Sequence, residues 1–333
     1  MSVTVNMNIV ITYSLAILVG FHSYKFRGAF KTLILFFGSW IVGGCVENIN
    51  DLFGGYYYPG SEFTIFLYRC PFDVVLGWFI IIYCSSYIAH IIVGKGRGSL
   101  PAIGIGSDPK NGVDKQFLKD TFIRAALAGY IAVSLDFFID PVAVENGWWI
   151  WTINNIYIIG VPLGNYIGWF LLIFWACVFY DIIVTYCTVE NKKKIITAGI
   201  WAGGTILASL LTGLPLEGLT TLFGLDGVRT DDRNALDTTL TPARIEGLII
   251  ITIILLISIG LILASSLAPN KMPETRPTGK IWRILPPVLM LVFWAMIMVV
   301  AVLTSALMIA VGILFCIPYF WINGYLIKNP YMD

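Results

Sequence analysis

The chain has 333 residues, of which 58% are hydrophobic and only 12% are charged, and its formal net charge is +1. A soluble domain would carry about twice that charged fraction, so the composition excludes an ordinary soluble protein. Basic clusters with interleaved aromatic residues are absent, so the sequence does not indicate a nucleic-acid partner. A mean hydropathy of +0.82 instead predicts an all-α polytopic membrane protein formed by one integral domain, residues 1–333.

Apolar runs long enough to cross a hydrocarbon layer of about 30 Å predict nine transmembrane helices. The last two lie in one long apolar run without a clear polar turn, so eight remains an alternative. The predicted spans are 7–24, 29–49, 72–94, 119–140, 162–187, 195–215, 244–266, 283–302 and 305–326.

The distribution of basic residues predicts the orientation of these spans. Arg69, Arg229, Arg233 and Arg244 fall on one side, and the remaining Lys and Arg residues all fall on the other. By the positive-inside rule, the N-terminus is expected outside and the C-terminus in the cytoplasm of a cell membrane. The long connections are then a cytoplasmic linker at 95–118, an outer Trp-rich loop at 141–161 and an outer polar loop at 218–243.

Two carboxylates at the end of the fourth predicted span are the most informative feature. Asp136 and Asp140 lie one helical turn apart on one face, and Pro141 is expected to end their helix. Pro162 and Asn165 then open the next span. Carboxylates in apolar surroundings are costly, so each is expected to have a partner, a proton or a function.

A weak internal repeat surrounds these acids. The pattern Pro71-x5-Gly77-Trp78 recurs as Pro162-x5-Gly168-Trp169, and Gly43-x3-Glu47 recurs as Gly213-x3-Glu217. A parallel repeat of helical hairpins would place Glu47, the aspartates and Glu217 around one outward cavity. Coincidence among common membrane residues is the alternative explanation.

The most specific block of the sequence resembles a known family. Its residues are Asp136-x3-Asp140-Pro141, Gly147-Trp148-x2-Trp151 and Tyr157-x2-Gly160-Val161-Pro162-Leu163-x-Asn165-x2-Gly168-Trp169. They resemble the carotenoid 1',2'-hydratase family of carotenoid-biosynthesis membrane proteins, which includes bisanhydrobacterioruberin hydratase. Glu47, Tyr56 and Tyr58 are similar to another outer motif of the family, although Asn50-Asp51-Leu52 departs from it. The resemblance implies addition of water to the terminal C=C bond of a linear carotenoid.

Such a reaction requires a carboxylic acid, an acceptor for the proton of water, and aromatic faces beside the carbocation. Asp136 or Asp140 is the expected acid, Glu47 or Glu217 the expected base, and Asn165 is expected to hold water or a carboxyl group. The expected substrate-binding residues, besides Asn165, are aromatic: Tyr56, Tyr58, Trp78, Trp148, Trp149, Trp151, Tyr157 and Trp169. No cofactor or metal is required; the expected partners are a long isoprenoid substrate and membrane lipids, and the oligomeric state is not indicated.

Three alternatives remain open at this stage. An intramembrane prenyltransferase would use Asp136-x3-Asp140 with Asp231-Asp232-x4-Asp237 to hold Mg²⁺ and a diphosphate. A transporter or lipid-binding protein would use the same acids as proton relays. In a purely structural interpretation, the tryptophans form an interfacial belt and the aspartates meet only local partners. Asp73 is a weaker candidate, and Asp181 is expected to pair or meet water near the cytoplasmic end.

Overall fold

The computed structural model describes residues 3–53, 55–59, 65–94, 115–152, 157–158, 160–189, 196–222 and 280–304, with positions 320 and 324. These ranges contain seven long helices and six strands of two residues each. The helices are α1 Val3–Arg27, α2 Ala29–Leu52, α3 Phe72–Gly94, α4 Lys115–Glu145, α5 Leu163–Val189, α6 Ile196–Leu222 and α7 Lys280–Thr304.

The first six helices coincide with the first six predicted spans, and each is long and apolar enough to cross a membrane. α7 covers the predicted span at 283–302 and contains a shorter apolar segment, Ile284–Val299. A helical membrane protein is therefore confirmed. The predicted spans at 244–266 and 305–326 lie outside the described residues, apart from positions 320 and 324, so the count of nine and the orientation stay predictions.

α3 and α4 form the interior of the bundle. In each of their crossing segments 78% of the residues are buried in the protein, against 28–39% in the crossing segments of α1, α2, α5 and α6. α4 packs against α3, α5 and α7, while α2 packs against α3 and α6. Residues near the C-terminal end of α4 are therefore enclosed by neighbouring helices.

The predicted helix end at Pro141 is wrong, because α4 continues through this proline to Glu145. Proline removes one backbone hydrogen bond, but Val142 and Ala143 are fully buried and their packing offsets that loss. The helix ends in a Schellman motif: Gly147, with φ +66°, donates to Val144, and the Trp148 amide donates to Ala143. The chain that follows this cap contains Ile150 and Trp151, which pair with the connection after α2.

The connections between the helices contain short antiparallel strand pairs, which the all-α expectation did not include. β1 (Tyr56–Tyr57) pairs with β4 (Ile150–Trp151), so the loop after α2 is joined to the loop after α4. The other two pairs are hairpins: β2 (Phe66–Leu67) with β3 (Cys70–Pro71), and β5 (Tyr157–Ile158) with β6 (Val161–Pro162). Extended backbone at a membrane surface needs such partners for its N–H and C=O groups.

The two hairpins end in equivalent ways. β3 closes on Pro71 and leads directly into α3, and β6 closes on Pro162 and leads directly into α5. The two copies of the Pro-x5-Gly-Trp pattern thus occupy corresponding positions in two hairpin–helix units. The wider repeat stays a prediction, because the side chain of Glu217 and residues 223–279 lie beyond the described part of the chain.

The boundaries of two predicted connections also change. α4 already begins at Lys115, inside the linker predicted at 95–118, and α6 continues to Leu222, inside the polar loop predicted at 218–243. The rest of both segments lies outside the described residues.

Candidate functional site

A cavity of about 110 Å³ is lined by residues of α1–α5 and α7 and by residues of the connections that contain β1 and β4. Most of the predicted site residues line it, although they come from distant parts of the sequence. The lining consists of Thr12, Glu47, Tyr56, Tyr58, Asp73, Val74, Gly77, Trp78, Ile81, Ile139, Asp140, Trp148, Trp149, Trp151, Asn165, Trp169, Phe293, Met296 and Ile297.

The aspartate pair is joined by a single amide. Nδ2 of Asn165 donates to Oδ2 of Asp140 at 2.5 Å and to Oδ2 of Asp136 at 3.0 Å. An Asn NH₂ group carries two protons, so this amide uses both on the pair. The first turn of α5 thereby fixes the orientation of two side chains on α4.

The two aspartates differ in their access to the cavity. Asp140 lines it, whereas Asp136 is fully buried one turn deeper in α4. Among the described residues, Oδ1 of Asp136 has no hydrogen-bond partner. A buried carboxyl oxygen without a partner is costly, and neither aspartate contacts a described basic residue. The arrangement suits a pair that exchanges a proton between its two members and presents it through Asp140.

Glu47 is held by three donors. Trp78 Nε1 donates to its Oε1 at 2.7 Å, and Tyr58 Oη donates to its Oε2 at 2.8 Å. The hydroxyl of Tyr56 also donates to Oε2. A carboxylate has about four acceptor positions, so one position on Oε1 remains for a group inside the cavity. Glu47 is therefore oriented as an acceptor.

The hydroxyl of Tyr58 keeps its donor role over a wide pH range. Enclosure by the surrounding protein, and next the negative charge of Glu47, raise the pKa of the Tyr58 phenol well above its usual value. The phenol stays protonated at neutral pH, so its bond to Glu47 persists there.

Gly43 allows the Trp78 ring to reach Glu47. A Cβ atom on Gly43 would lie 2.5 Å from Cδ1 of Trp78, far inside van der Waals contact. Small residues permit this close approach between α2 and α3. The glycine of the Gly43-x3-Glu47 pattern thus positions the indole N–H that binds the glutamate of the same pattern.

Aromatic rings form the walls above these acids. Trp78 and Trp169, the equivalent tryptophans of the two hairpin–helix units, lie with ring centroids 4.6 Å apart. The β1–β4 pairing sets Tyr56 against Trp151 at 4.7 Å, and Tyr58 lies 6.1 Å from Trp149. Such walls suit an apolar chain whose end carries or develops positive charge.

Several lining residues were not among the predicted site residues. Thr12 on α1 contributes a hydroxyl group, and Phe293, Met296 and Ile297 on α7 contribute an apolar wall. The i, i+3, i+4 spacing of the α7 residues indicates a shared face, but not which partner it meets. Asp73, ranked below the other acids from the sequence, also lines the cavity.

The remaining predicted acids are placed as follows. Asp181 forms an ion pair with Arg124 at 2.7 Å, as expected from its position along α5. Glu217 lies within α6 and Tyr157 within β5, but their side chains lie outside the described residues. Within the described ranges, no group of three or more His, Cys, Asp or Glu side chains is arranged to hold a metal ion.

The chain was also compared with known proteins. Searches of curated sequences and of solved structures found no match. A family model described as "carotenoid biosynthesis protein" matches residues 4–215, a segment that includes Glu47, the aspartate pair and every tryptophan of the cavity. The chain therefore belongs to the carotenoid biosynthesis protein family, and this confirms the broader part of the resemblance seen in its sequence.

Proposed function

We propose that this protein is a hydratase that adds water to the terminal C=C bond of a linear carotenoid. One observation carries the proposal: Asp140, which an amide joins to the buried Asp136, lines the same aromatic-walled cavity as a glutamate oriented by three donors. The family supports a role in carotenoid biosynthesis, and the chemistry of the cavity residues supports hydration in particular.

In the proposed first step, the aspartate pair protonates the alkene through Asp140. The O–H bond breaks as the π electrons form a C–H bond at the less substituted carbon, which leaves a tertiary carbocation. We assign stabilisation of that cation to the rings of Trp78 and Trp169, which line the cavity; such a ring contributes about 2 kcal/mol or more in a desolvated site. Asn165 donates hydrogen bonds to the carboxylate that forms when the aspartate pair loses its proton.

In the proposed second step, water captures the cation. A lone pair of the water oxygen forms the C–O bond, and Glu47 accepts the proton that the oxygen loses. One proton is consumed and one released, so the sum is alkene plus water giving a tertiary alcohol. A water molecule in the cavity can return the proton from Glu47 to the aspartate pair through Asp140, because Glu47 and Asp140 both line it.

A prenyltransferase is less well supported by the same cavity. Binding of a diphosphate requires basic contacts in addition to carboxylates that hold Mg²⁺. Among the described residues that line the cavity, none is Lys or Arg. The second acidic motif of that alternative, Asp231–Asp237, lies outside the described residues.

The proposal is tested by expression in a host that accumulates an acyclic carotenoid such as lycopene. Mass analysis should show pigment that has gained one water, and Asp140→Asn or Asp136→Asn should abolish the gain in protein that still inserts. Asp51→Asn is the matched control, because Asp51 pairs with exposed Arg69 and does not line the cavity.

The purified protein separates a hydratase from a transporter or lipid-binding protein. In deuterium oxide a hydratase should place one deuterium on the carbon next to the new alcohol, with no ion gradient present. Wild-type protein that inserts fully, binds acyclic carotenoids and returns them without added water or deuterium would refute the proposal.

A further inference from the structure

A second, smaller cavity lies at the opposite end of the bundle. It has a volume of about 20 Å³, and its polar lining consists of Arg27, Ser86, His90, Arg124, Tyr180 and Asp181. Arg124 precedes Asp140 by 16 residues on α4, which at 1.5 Å per residue separates them by ~24 Å. The small cavity is therefore distinct from the aromatic one, and the proposed hydratase mechanism does not use it.

The lining of this cavity carries more positive than negative charge. Arg124 Nη2 donates to Asp181 Oδ2 at 2.7 Å and to Thr121 Oγ1 at 3.0 Å, and Arg27 Nη2 donates to the neutral Ser86 hydroxyl at 3.2 Å. The Arg27 guanidinium carbon lies 4.9 and 5.1 Å from the ring centroids of Tyr83 and Tyr180. With histidine counted as neutral, two guanidinium groups face one carboxylate. Asp120, one turn before Arg124, does not line the cavity.

Each of the two arginines also keeps a donor without a partner. Nε of Arg27 and Nη1 of Arg124 are buried, and neither has a hydrogen bond among the described residues. Arg27 is 9% exposed and Arg124 only 4%. A buried charged donor without an acceptor is strongly unfavourable, so two such donors beside one cavity indicate a missing acceptor.

We propose that this cavity binds one small monovalent anion of the chloride type. A monovalent anion balances the single excess positive charge of the cavity lining, and it accepts hydrogen bonds from Nε of Arg27 and Nη1 of Arg124. A volume of about 20 Å³ has room for one or two species of the size of water, which favours a halide over a phosphate ester or a lipid headgroup. Water fits the volume but leaves the excess charge uncompensated.

The bound anion would join several helices. The lining residues come from α1, α2, α3, α4 and α5, so the anion is a shared ligand of five helices at this end. A ligand that binds only the folded state stabilises it by RT ln(1 + [L]/Kd), where [L] is the ligand concentration. The proposal therefore predicts stability that depends on chloride, whatever reaction the aromatic cavity performs.

The test uses the purified full chain in detergent, with chloride replaced by gluconate at constant ionic strength. The unfolding midpoint should rise with the logarithm of the chloride concentration once Kd is exceeded, by about 4 °C at a hundredfold excess over Kd. Bromide should act like chloride, and the protein should broaden the chloride-35 NMR line until bromide displaces the ion. A flat midpoint together with an unbroadened line would overturn the proposal, and so would an equal effect of sulfate.

Two variants locate the site, and a third variant serves as the control. Arg27→Gln removes a guanidinium from the lining, and Ala176→Leu fills the cavity without changing its charge; both should abolish the chloride shift and the line broadening. Arg69→Gln removes an exposed arginine elsewhere in the chain and should retain them. If a folded Arg27→Gln or Ala176→Leu protein keeps the full response, the ion binds elsewhere and the assignment is wrong.

Discussion

Replacing Glu47 with glutamine separates the role of this side chain as a base from its role in the structure. Glutamine has nearly the same shape but offers one carbonyl oxygen and one NH₂ group. Trp78 Nε1–H can only donate, whereas the hydroxyls of Tyr56 and Tyr58 can donate or accept. The glutamine carbonyl is therefore expected to face Trp78 and its NH₂ group the tyrosines, so all three contacts of Glu47 have a replacement.

The expected effect on stability is small. Hydrogen bonds to a charged group contribute about 1.5–3 kcal/mol and neutral ones about 0.5–1.5 kcal/mol, so three exchanged bonds weaken the fold by roughly 3 kcal/mol. Glu47 is only 6% exposed, and removal of a buried charge recovers several kcal/mol of desolvation cost. Because the two terms have opposite sign and similar size, the unfolding midpoint should change by only a few degrees.

The expected effect on catalysis is large. A positioned general base contributes about 10²–10⁴-fold in rate, which is roughly 3–5 kcal/mol in the activation barrier. The glutamine amide cannot take the proton of the attacking water, so kcat should fall by that factor in Glu47→Gln. Hydration is measured by pigment mass analysis with purified protein, alongside the thermal midpoint. A folded Glu47→Gln protein with at least a third of wild-type kcat would refute the assignment of Glu47 as the base.

Three further changes test how the site is positioned. Asn165→Leu keeps the branched shape of the side chain but removes both hydrogen bonds to the aspartates. We therefore expect at least about 10²-fold lower activity from ~3 kcal/mol of lost interaction, and an unchanged hydration rate would contradict the bridging role. Gly43→Ala should displace the ring of Trp78, lower the hydration activity about tenfold and change the tryptophan fluorescence spectrum. Gly203→Ala is the control: its methyl group meets open space, so the activity and the spectrum should stay unchanged. Gly147→Ala has room for its methyl group but requires φ +66°, so we expect a loss of about 1 kcal/mol in denaturant unfolding; equal stability would show that the cap is not strained.

The sequence by itself determined the class of the protein and the shared helix face of its two aspartates. Apolar runs of about 20 residues have few stable alternatives to a membrane-crossing helix, because backbone groups in lipid must be satisfied within the segment. The four-residue spacing of Asp136 and Asp140 also sets their shared face, because helical geometry is local. The helix end at Pro141 could not be predicted in the same way, because burial of Val142 and Ala143 by other helices outweighs a local preference.

Only the tertiary structure decided which side chains meet. Glu47 accepts from Trp78, which is 31 residues away, and Asn165 reaches Asp136 across 29 residues. Trp151 reaches Tyr56 through a strand pair between two loops, and Arg27 and Arg124 come to one cavity from different helices. Hydrophobic periodicity shows which face of a helix is apolar but not which neighbour it packs against. That choice depends on close contacts such as Gly43 with Trp78, and it determines whether isolated acids become one site.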